Sequence, residues 1–252
     1  MRLFLVACFT LSGGSALLAQ NEKPPFILPV DCIIGENCFL QTLTDYDQQG
    51  AMVLDTFCGQ DTYDGHTGID IRRRTLPEME RNVAVRAVAD GLVTGTRNHM
   101  DDIAINHENR QERLARIKNQ ECGNGLVIDH ANGISTQYCH MKKGSVQVQP
   151  GARVRQGDVL GAIGVSGFTA YPHLHFVTRQ NNRLIDPLSA APLHPSACRP
   201  DGQKNGLFDA KTRAALLASR DDILQIGLAG PPFAIVELVK GTPPPLPTTK
   251  ST

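Results

Sequence analysis

Two histidines two residues apart constrain this chain more than any other feature of its sequence. His173 and His175 lie in PHLHF, and in a β-strand they project from one face while Leu174 and Phe176 project from the other. Imidazole groups on an otherwise apolar strand need polar partners. Three further candidates supply such partners: His66 and Asp70 in GHTGID, and His140 in QYCHM.

The spacing in GHTGID favours a strand. In a strand His66 and Asp70 share a face, with Gly68 between them as an open gap. A helix also aligns residues four apart, but this segment is rich in glycine and β-branched residues, which are poor helix formers. Taken alone, the pair is equally consistent with a hydrogen-bonded surface contact.

Together the five side chains are suited to zinc chemistry. Neutral imidazole and carboxylate groups are common zinc ligands, and catalytic sites use three protein ligands and leave one position for water. Zinc lowers the pKa of its water to about 7 and polarises a carbonyl group. The two remaining imidazoles can move a proton or stabilise an oxyanion.

The order and spacing of these motifs resemble the LytM/lysostaphin-type zinc metallopeptidases, which cleave peptide bonds in bacterial peptidoglycan. The resemblance covers roughly residues 60–188 and is carried by GHTGIDI, VRAVADGLV, GNGLVIDHANGISTQYCHM, PGARVRQGDVLGAIGVSG and PHLHF. It implies a mainly β fold, with an antiparallel β sheet or sandwich lining a groove (a barrel-sandwich hybrid) and the metal on the groove floor.

The resemblance also implies a role for each residue. His66, Asp70 and His175 would bind Zn²⁺, and His140 and His173 would be the unliganded catalytic histidines. Some relatives have lost their ligands and activate amidases by binding them. A non-catalytic regulator of the cell wall or of an amidase, with a retained zinc site, is therefore the alternative hypothesis.

Composition excludes some partners and favours export. The 25 basic and 25 acidic side chains balance, which gives no support for binding nucleic acid. Arg2, the apolar stretch Leu3 to Leu18 and Ala19 are typical of a signal peptide, and nothing later is apolar for long enough to span a membrane. A lipobox-like segment ending at Cys8 makes a lipoprotein the less favoured alternative.

Six cysteines remain after residue 19, and an even number in an exported chain indicates disulfide bonds. We expect Cys32 to pair with Cys38, because the two close a small loop. If Asn132-Gly133 forms a two-residue hairpin loop, Leu126 faces Cys139, which argues against a Cys122–Cys139 bond. The same hairpin places His130 beside the turn, where we expect it to be exposed.

The chain divides into five predicted regions: a signal peptide at 1–19, an irregular leader at 20–45, a metallopeptidase domain at 46–190, a small α/β appendage at 191–240, and a disordered Pro-rich tail at 241–252. Asn98 to Gln120 is a charged insertion with a helical part at Gln111 to Lys118. It is either a solvated surface excursion or a lid over the site. A second helix is predicted over Asp209 to Ser219.

The sequence therefore predicts an exported, periplasmic zinc endopeptidase that hydrolyses peptide bonds in peptidoglycan stem peptides or cross-links.

Overall fold

The computed structural model describes residues 25–50, 52–200, 206–220, 226–227 and 235–236. The predicted signal peptide, the lipobox cysteine Cys8 and the Pro-rich tail lie outside these residues. Within them, no helix combines the length and the apolar character that crossing a bilayer requires. The fold is mainly antiparallel β sheet, as predicted.

One large antiparallel sheet organises the molecule. Its eight strands are β1 (Phe39–Thr42), β2 (Ile69–Arg72), β4 (Gly91–Arg97), β5 (Asn124–Asp129), β6 (Ile134–Met141), β7 (Arg153–Val154), β9 (His173–Gln180) and β10 (Arg183–Ile185). The order across the sheet is β1-β2-β9-β6-β5-β4-β7, with β10 paired to β9.

Among the described residues, four short strands form two further pairs, and three α-helices lie outside the sheets. The short strands are β3 (Ala84–Arg86) with β8 (Val159–Ala162), and β11 (Ile226–Gly227) with β12 (Ile235–Val236). The helices are α1 (Leu76–Met79), α2 (Arg110–Arg116) and α3 (Ala210–Ala218). Both predicted helical segments are confirmed by α2 and α3.

The core lies under one face of the large sheet. Strand β9 shows why: Leu174 and Phe176 are fully buried in the core, and the side chains of His173 and His175, which alternate with them, project to the opposite face. Tyr138 on β6 packs edge-on against Phe176 and belongs to the same core. The alternation that buries the apolar residues therefore leaves the other face free for polar chemistry.

The N-terminal segment is not an irregular leader throughout. Phe39–Thr42 forms the edge strand β1, which pairs with β2 next to Asp70. Phe26 and Val30 are buried in the main core. These two apolar residues of the Pro-rich segment therefore pack in the same core as the sheet. The sequence pattern around residues 20–45 did not indicate this packing.

Helix α3 also packs onto this core. Asp209 caps its N-terminus by accepting a hydrogen bond from the backbone N–H of Thr212 at 2.8 Å. Leu216 is fully buried in the main core, and Phe208 just before the helix joins it. This part of the predicted appendage therefore shares its core with the sheet.

The hairpin between β5 and β6 differs from its predicted register. Leu126 faces Tyr138 instead of Cys139, because the turn is wider than two residues and Asp129 pairs with Ser135. Asn132 and Gly133 both have positive φ, which glycine adopts because it lacks a Cβ atom and which asparagine tolerates better than most residues. A register shift between Asn124 and Leu126 then marks a bulge at the far end.

The part of the chain that the structure describes contains three disulfides: Cys32–Cys38, Cys58–Cys198 and Cys122–Cys139. The first confirms the expected pair. The third contradicts the argument against it: the bulge brings the two residues together, and their Cα atoms are 4.8 Å apart. The backbone N–H of His140 donates to the carbonyl oxygen of Cys122 across the same bulge, at 2.8 Å.

The excursion at 98–120 packs onto the body of the protein. The backbone N–H of Ile105 donates to the carbonyl oxygen of Thr169 at 2.8 Å, and Asp102 accepts from the N–H of Val165 at 3.0 Å. The guanidinium of Arg110 lies over the ring of Phe168, 4.9 Å from its centre. The excursion thus contacts and supports the loop at 165–169.

Candidate metal and catalytic site

Strand pairing brings two of the predicted ligands together. In the register of β2 with β9, Asp70 lies directly opposite His175. The Oδ1 atom of Asp70 is 2.8 Å from Nδ1 of His175 and 3.1 Å from Nε2 of His66. His66 stands in the loop before β2, so the turn into the strand, not the strand itself, places it beside Asp70.

The three atoms fit a zinc ion. His66 Nε2 and His175 Nδ1 are 3.0 Å apart, which completes a triangle with the Asp70 oxygen. Tetrahedral ligands with bonds of about 2.0–2.1 Å are separated by roughly 3.3 Å, so shifts of a few tenths of an ångström suffice. Each of the three residues offers one atom of a type that binds metals, and these atoms all lie within 4.8 Å of one another.

Hydrogen bonds outside this triangle orient the two imidazoles. His66 Nδ1 lies 2.7 Å from the carbonyl oxygen of Leu43, so it carries the proton and Nε2 presents its lone pair to the triangle. His175 Nε2 is 3.3 Å from the hydroxyl of Thr67. Two ring nitrogens and a carboxylate oxygen that converge in this way are best satisfied by a cation at their centre.

The electrostatics keep the carboxylate ionised. Burial by itself favours the neutral acid, but the neighbouring His173 and His66 bring the pKa of Asp70 well below its usual value. Burial lowers the pKa of His175, and Asp70 offsets this only in part. Burial also acts to lower the pKa of His66, but Asp70 raises it above the usual value.

His140 reaches the site through an unusual backbone conformation. Its φ is 62°, in the left-handed region that residues other than glycine rarely adopt. This interrupts the alternation of β6: Tyr138 and Met141 are both buried in the core, and His140 between them turns toward His175. Its Nδ1 donates to the carbonyl oxygen of Ser166 at 2.8 Å, which leaves Nε2 as a lone-pair acceptor.

His140 is held in its neutral form. Burial lowers its pKa well below the usual value, and the adjacent imidazoles of His173 and His175 act in the same direction. A neutral imidazole with a free Nε2 is able to accept a proton.

His173 lies between His140 and the carboxylate. Its ring centre is 4.7 Å from that of His140, and its Nε2 is 3.4 Å from Oδ1 of Asp70. Its Nδ1 is 3.1 Å from the carbonyl oxygen of Tyr171 and 3.1 Å from the hydroxyl of Thr169. The structure therefore brings all five predicted residues into one cluster.

The cluster opens into a cavity of about 280 Å³. His66, His140 and His175 line it together with Cys122 and with residues that the sequence did not single out: Tyr63, Glu121, Gln137, Phe168 and Arg179. A second cavity of about 400 Å³ shares Glu121, Cys122 and Gln137 with the first and continues it toward Gly95. The two form a groove that crosses β9, β6, β5 and β4.

Two expectations near the site are wrong. Gly68 is not an open gap, because a Cβ atom there would lie 2.2 Å from the carbonyl oxygen of Phe176; the glycine permits close approach of two strands. His130 is buried, with Nδ1 2.8 Å from the carbonyl oxygen of Asp90 and Nε2 2.8 Å from the hydroxyl of Thr136. His99, His107 and His194 are exposed and do not line the cavity.

Sequence comparison matches part of the chain to a known family. The family model described as peptidase family M23 matches residues 64–187, the segment that carries all five residues.

Several proteins of known name are similar to this chain. The DD-carboxypeptidase/endopeptidase Mpg of Neisseria meningitidis serogroup B is 30% identical over 155 residues, which cover 62% of this chain and 29% of that protein. The peptidoglycan DD-endopeptidase ShyB of Vibrio cholerae is 36% identical over 73 residues, which cover 29% of this chain and 17% of that protein. The aligned part thus spans less than a third of either relative.

Solved structures are similar to this chain at a lower sequence identity. A zinc-containing peptidase from Vibrio cholerae is 21% identical with a TM-score of 0.43, covering 65% of this chain and 39% of that one. A mutant form of the catalytic domain of the prophage-encoded M23 protein EnpA from Enterococcus faecalis is 20% identical with a TM-score of 0.37, covering 64% of this chain and 92% of that one.

Proposed function

We propose that this protein is an exported zinc-dependent endopeptidase that hydrolyses peptide bonds in peptidoglycan stem peptides or cross-links. The observation that carries the proposal is the triangle of His66, Asp70 and His175, whose ligand atoms lie 2.8–3.1 Å apart and whose two histidines line a cavity. The match to the peptidase family M23 model and the names of the relatives support the substrate class.

In this proposal the three ligands have unequal tasks. Asp70 supplies the negative charge, and the two imidazoles contribute neutral nitrogen atoms oriented by Leu43 and Thr67. A zinc ion bound there supplies a Lewis acid that polarises the scissile carbonyl group and lowers the pKa of water. Each ligand is buried or nearly so, which strengthens its interaction with the cation.

His140 is the residue that we assign to proton transfer. Its Nδ1 proton is engaged by Ser166, so its Nε2 can accept a proton from water and later deliver it to the leaving amine. In the overall reaction the carbonyl carbon gains a hydroxyl group, the carbon–nitrogen bond breaks, and the amine gains the proton.

His173 is assigned to charge stabilisation. It stands beside His140 with Nδ1 held by Tyr171 and Thr169, so its Nε2 edge faces the space next to Asp70. In the tautomer in which Nδ1 accepts the hydroxyl proton of Thr169, Nε2 carries an N–H that can donate to the oxyanion that develops on the carbonyl oxygen.

The proposal also includes the substrate, the cellular location and the bounds of the catalytic domain. Cross-links that contain D-amino acids are the preferred substrate, the periplasm is the preferred location, and residues 46–190 are the catalytic domain. The long groove across β9, β6, β5 and β4 suits an extended chain rather than a single amino acid.

Digestion of purified sacculi by the protein lacking residues 1–19 tests this function. The soluble products are analysed by mass spectrometry, with and without a zinc chelator. We expect new chelator-sensitive fragments with a freed amine at the cross-link. A zinc-loaded protein that releases no fragment would instead support the alternative of a non-catalytic regulator.

A further inference from the structure

Arg179 is a cation in the groove that the catalytic assignment does not use. It lies on β9 four residues after His175, so the two side chains project from the same face of the strand. The same cavity is lined by Arg179 and by the metal-site histidines His66 and His175. The site therefore has a positive group along the path that an extended ligand would follow.

The guanidinium is held close to the site by a glutamine. Nη1 of Arg179 donates to Oε1 of Gln137 at 3.0 Å, and Gln137 pairs in the sheet with Val177, two residues from His175. At about 3.3 Å per strand residue, the row of Gln137 and Val177 lies roughly 7 Å from the row of His175. This distance corresponds to about two residues of an extended peptide.

The remaining donors of Arg179 are available. A guanidinium has five N–H donors. In the described part of the chain, the Arg179 side chain forms one hydrogen bond, to Gln137. No described carboxylate oxygen lies within 4.0 Å of its guanidinium nitrogens. The side chain is half-buried, and this burial lowers the pKa of Arg179, which remains a cation at any physiological pH. A partly desolvated cation without an anionic partner is well placed to bind one.

We propose that Arg179, oriented by Gln137, forms a carboxylate-binding subsite that selects peptides with a free carboxylate within two or three residues of the bond to be cleaved. The proposal rests on the proposed endopeptidase function and adds a substrate determinant to it. Carboxylate is the natural ligand for the planar donor pair of a guanidinium, which binds both oxygens at once.

The experiment compares one peptide in two forms. A cross-linked peptide released from sacculi is used with its free carboxylates intact and after amidation, and kcat and KM are measured for both. Wild-type protein, Arg179→Gln and Arg183→Gln are compared. Arg183 is an exposed residue on the neighbouring strand β10 outside the cavity, so its variant loses the same charge without losing the subsite.

We expect Arg179→Gln to lower kcat/KM for the free carboxylate by about tenfold or more, mainly through KM, because a hydrogen-bonded charge pair is lost. The amidated peptide and Arg183→Gln should show no such loss. Arg179→Lys should restore only part of the rate, since an ammonium group lacks the two parallel donors.

Equal losses of Arg179→Gln on both peptides, or no loss on either, would overturn the subsite. Binding of the same two peptides to His140→Gln, measured by calorimetry, keeps the test separate from catalysis. A wild-type protein that cleaves neither form contradicts the endopeptidase function. The subsite is still supported in that case if the His140→Gln protein binds the free carboxylate form more tightly than the amidated form, and if adding Arg179→Gln removes this difference in affinity. An equal affinity for both forms would refute it in this assay as well.

Discussion

The backbone N–H of His140 donates to the carbonyl oxygen of Cys122 at 2.8 Å, and Cys122 is bonded through its sulfur to Cys139, the residue before His140. The two links join the segment just after the 98–120 excursion to the strand that carries the proposed proton-transfer residue. They also brace His140 in its left-handed conformation, which costs about 1–3 kcal/mol and persists only when surrounding structure enforces it.

Removal of this disulfide should impair turnover more than metal binding. In the double variant Cys122→Ser, Cys139→Ser we expect kcat to fall by about tenfold or more, because a small misplacement of a catalytic group is costly. Zinc content should not change. Stopped assays of peptide cleavage and elemental analysis of the same samples measure both quantities.

The double variant Cys32→Ser, Cys38→Ser is the matched control. It also removes one disulfide, but the loop that it opens lies before β1 and does not line the cavity. Its kcat should match that of the wild type. Identical kcat values for the two double variants would show that the Cys122–Cys139 bond does not position His140.

Gly68 and Gly95 provide a paired test of strand packing. A Cβ atom at Gly68 would lie 2.2 Å from the carbonyl oxygen of Phe176, whereas one at Gly95 would have no heavy atom within 4 Å. Gly68→Ala should therefore lower the free energy of unfolding by about 1–3 kcal/mol and reduce zinc affinity, since it displaces β2 from β9. Gly95→Ala should leave both unchanged or slightly raise stability. Urea unfolding decides, and equal stabilities would refute the role assigned to Gly68.

Asp186 should be a major determinant of stability. It is fully buried and accepts hydrogen bonds from the hydroxyls of Thr44, Tyr46 and Thr56 and from the backbone N–H of Leu188. Asp186→Ala leaves several buried donors unpaired, and each such group costs about 1–3 kcal/mol. We expect a loss of roughly 3 kcal/mol or more by chemical denaturation.

Tyr46→Phe removes one hydroxyl of this network and should cost about 1 kcal/mol, because Asp186 keeps its other donors. A loss as large as that of Asp186→Ala would mean that the tyrosine, and not the carboxylate, organises the network.

His140→Gln separates proton transfer from metal binding. The variant should keep its zinc, since His140 is outside the triangle formed by His66, Asp70 and His175. Its kcat should fall by about 10²–10⁴-fold, the usual contribution of a general base. A variant that turns over at the wild-type rate would remove His140 from the mechanism.

The sequence allowed the central cluster to be predicted because strand alternation is a local property. His173 and His175 had to share a face once Leu174 and Phe176 entered the core, and Asp70 followed from the same rule on β2. The roles of these residues as ligands and catalysts remain predictions.

The features that could not be predicted depend on departures from regular geometry. The wide turn at Asn132 and the bulge near Asn124 shift the hairpin register, so the Cys122–Cys139 pairing was missed. The positive φ of His140 has no signal in the sequence. The backbone carbonyl groups of Leu43 and Ser166, which bond His66 and His140, cannot be predicted as partners either, because any residue supplies a carbonyl group.

Zinc content and cleavage measured together in His175→Ala test the central claim most directly. His194→Ala is the control, since His194 is exposed and outside the cavity. We predict about one zinc per chain and cleavage of cross-linked peptides in the wild type and in His194→Ala, and the loss of both in His175→Ala. A His175→Ala protein that retains its zinc and cleaves at the wild-type rate would contradict the account.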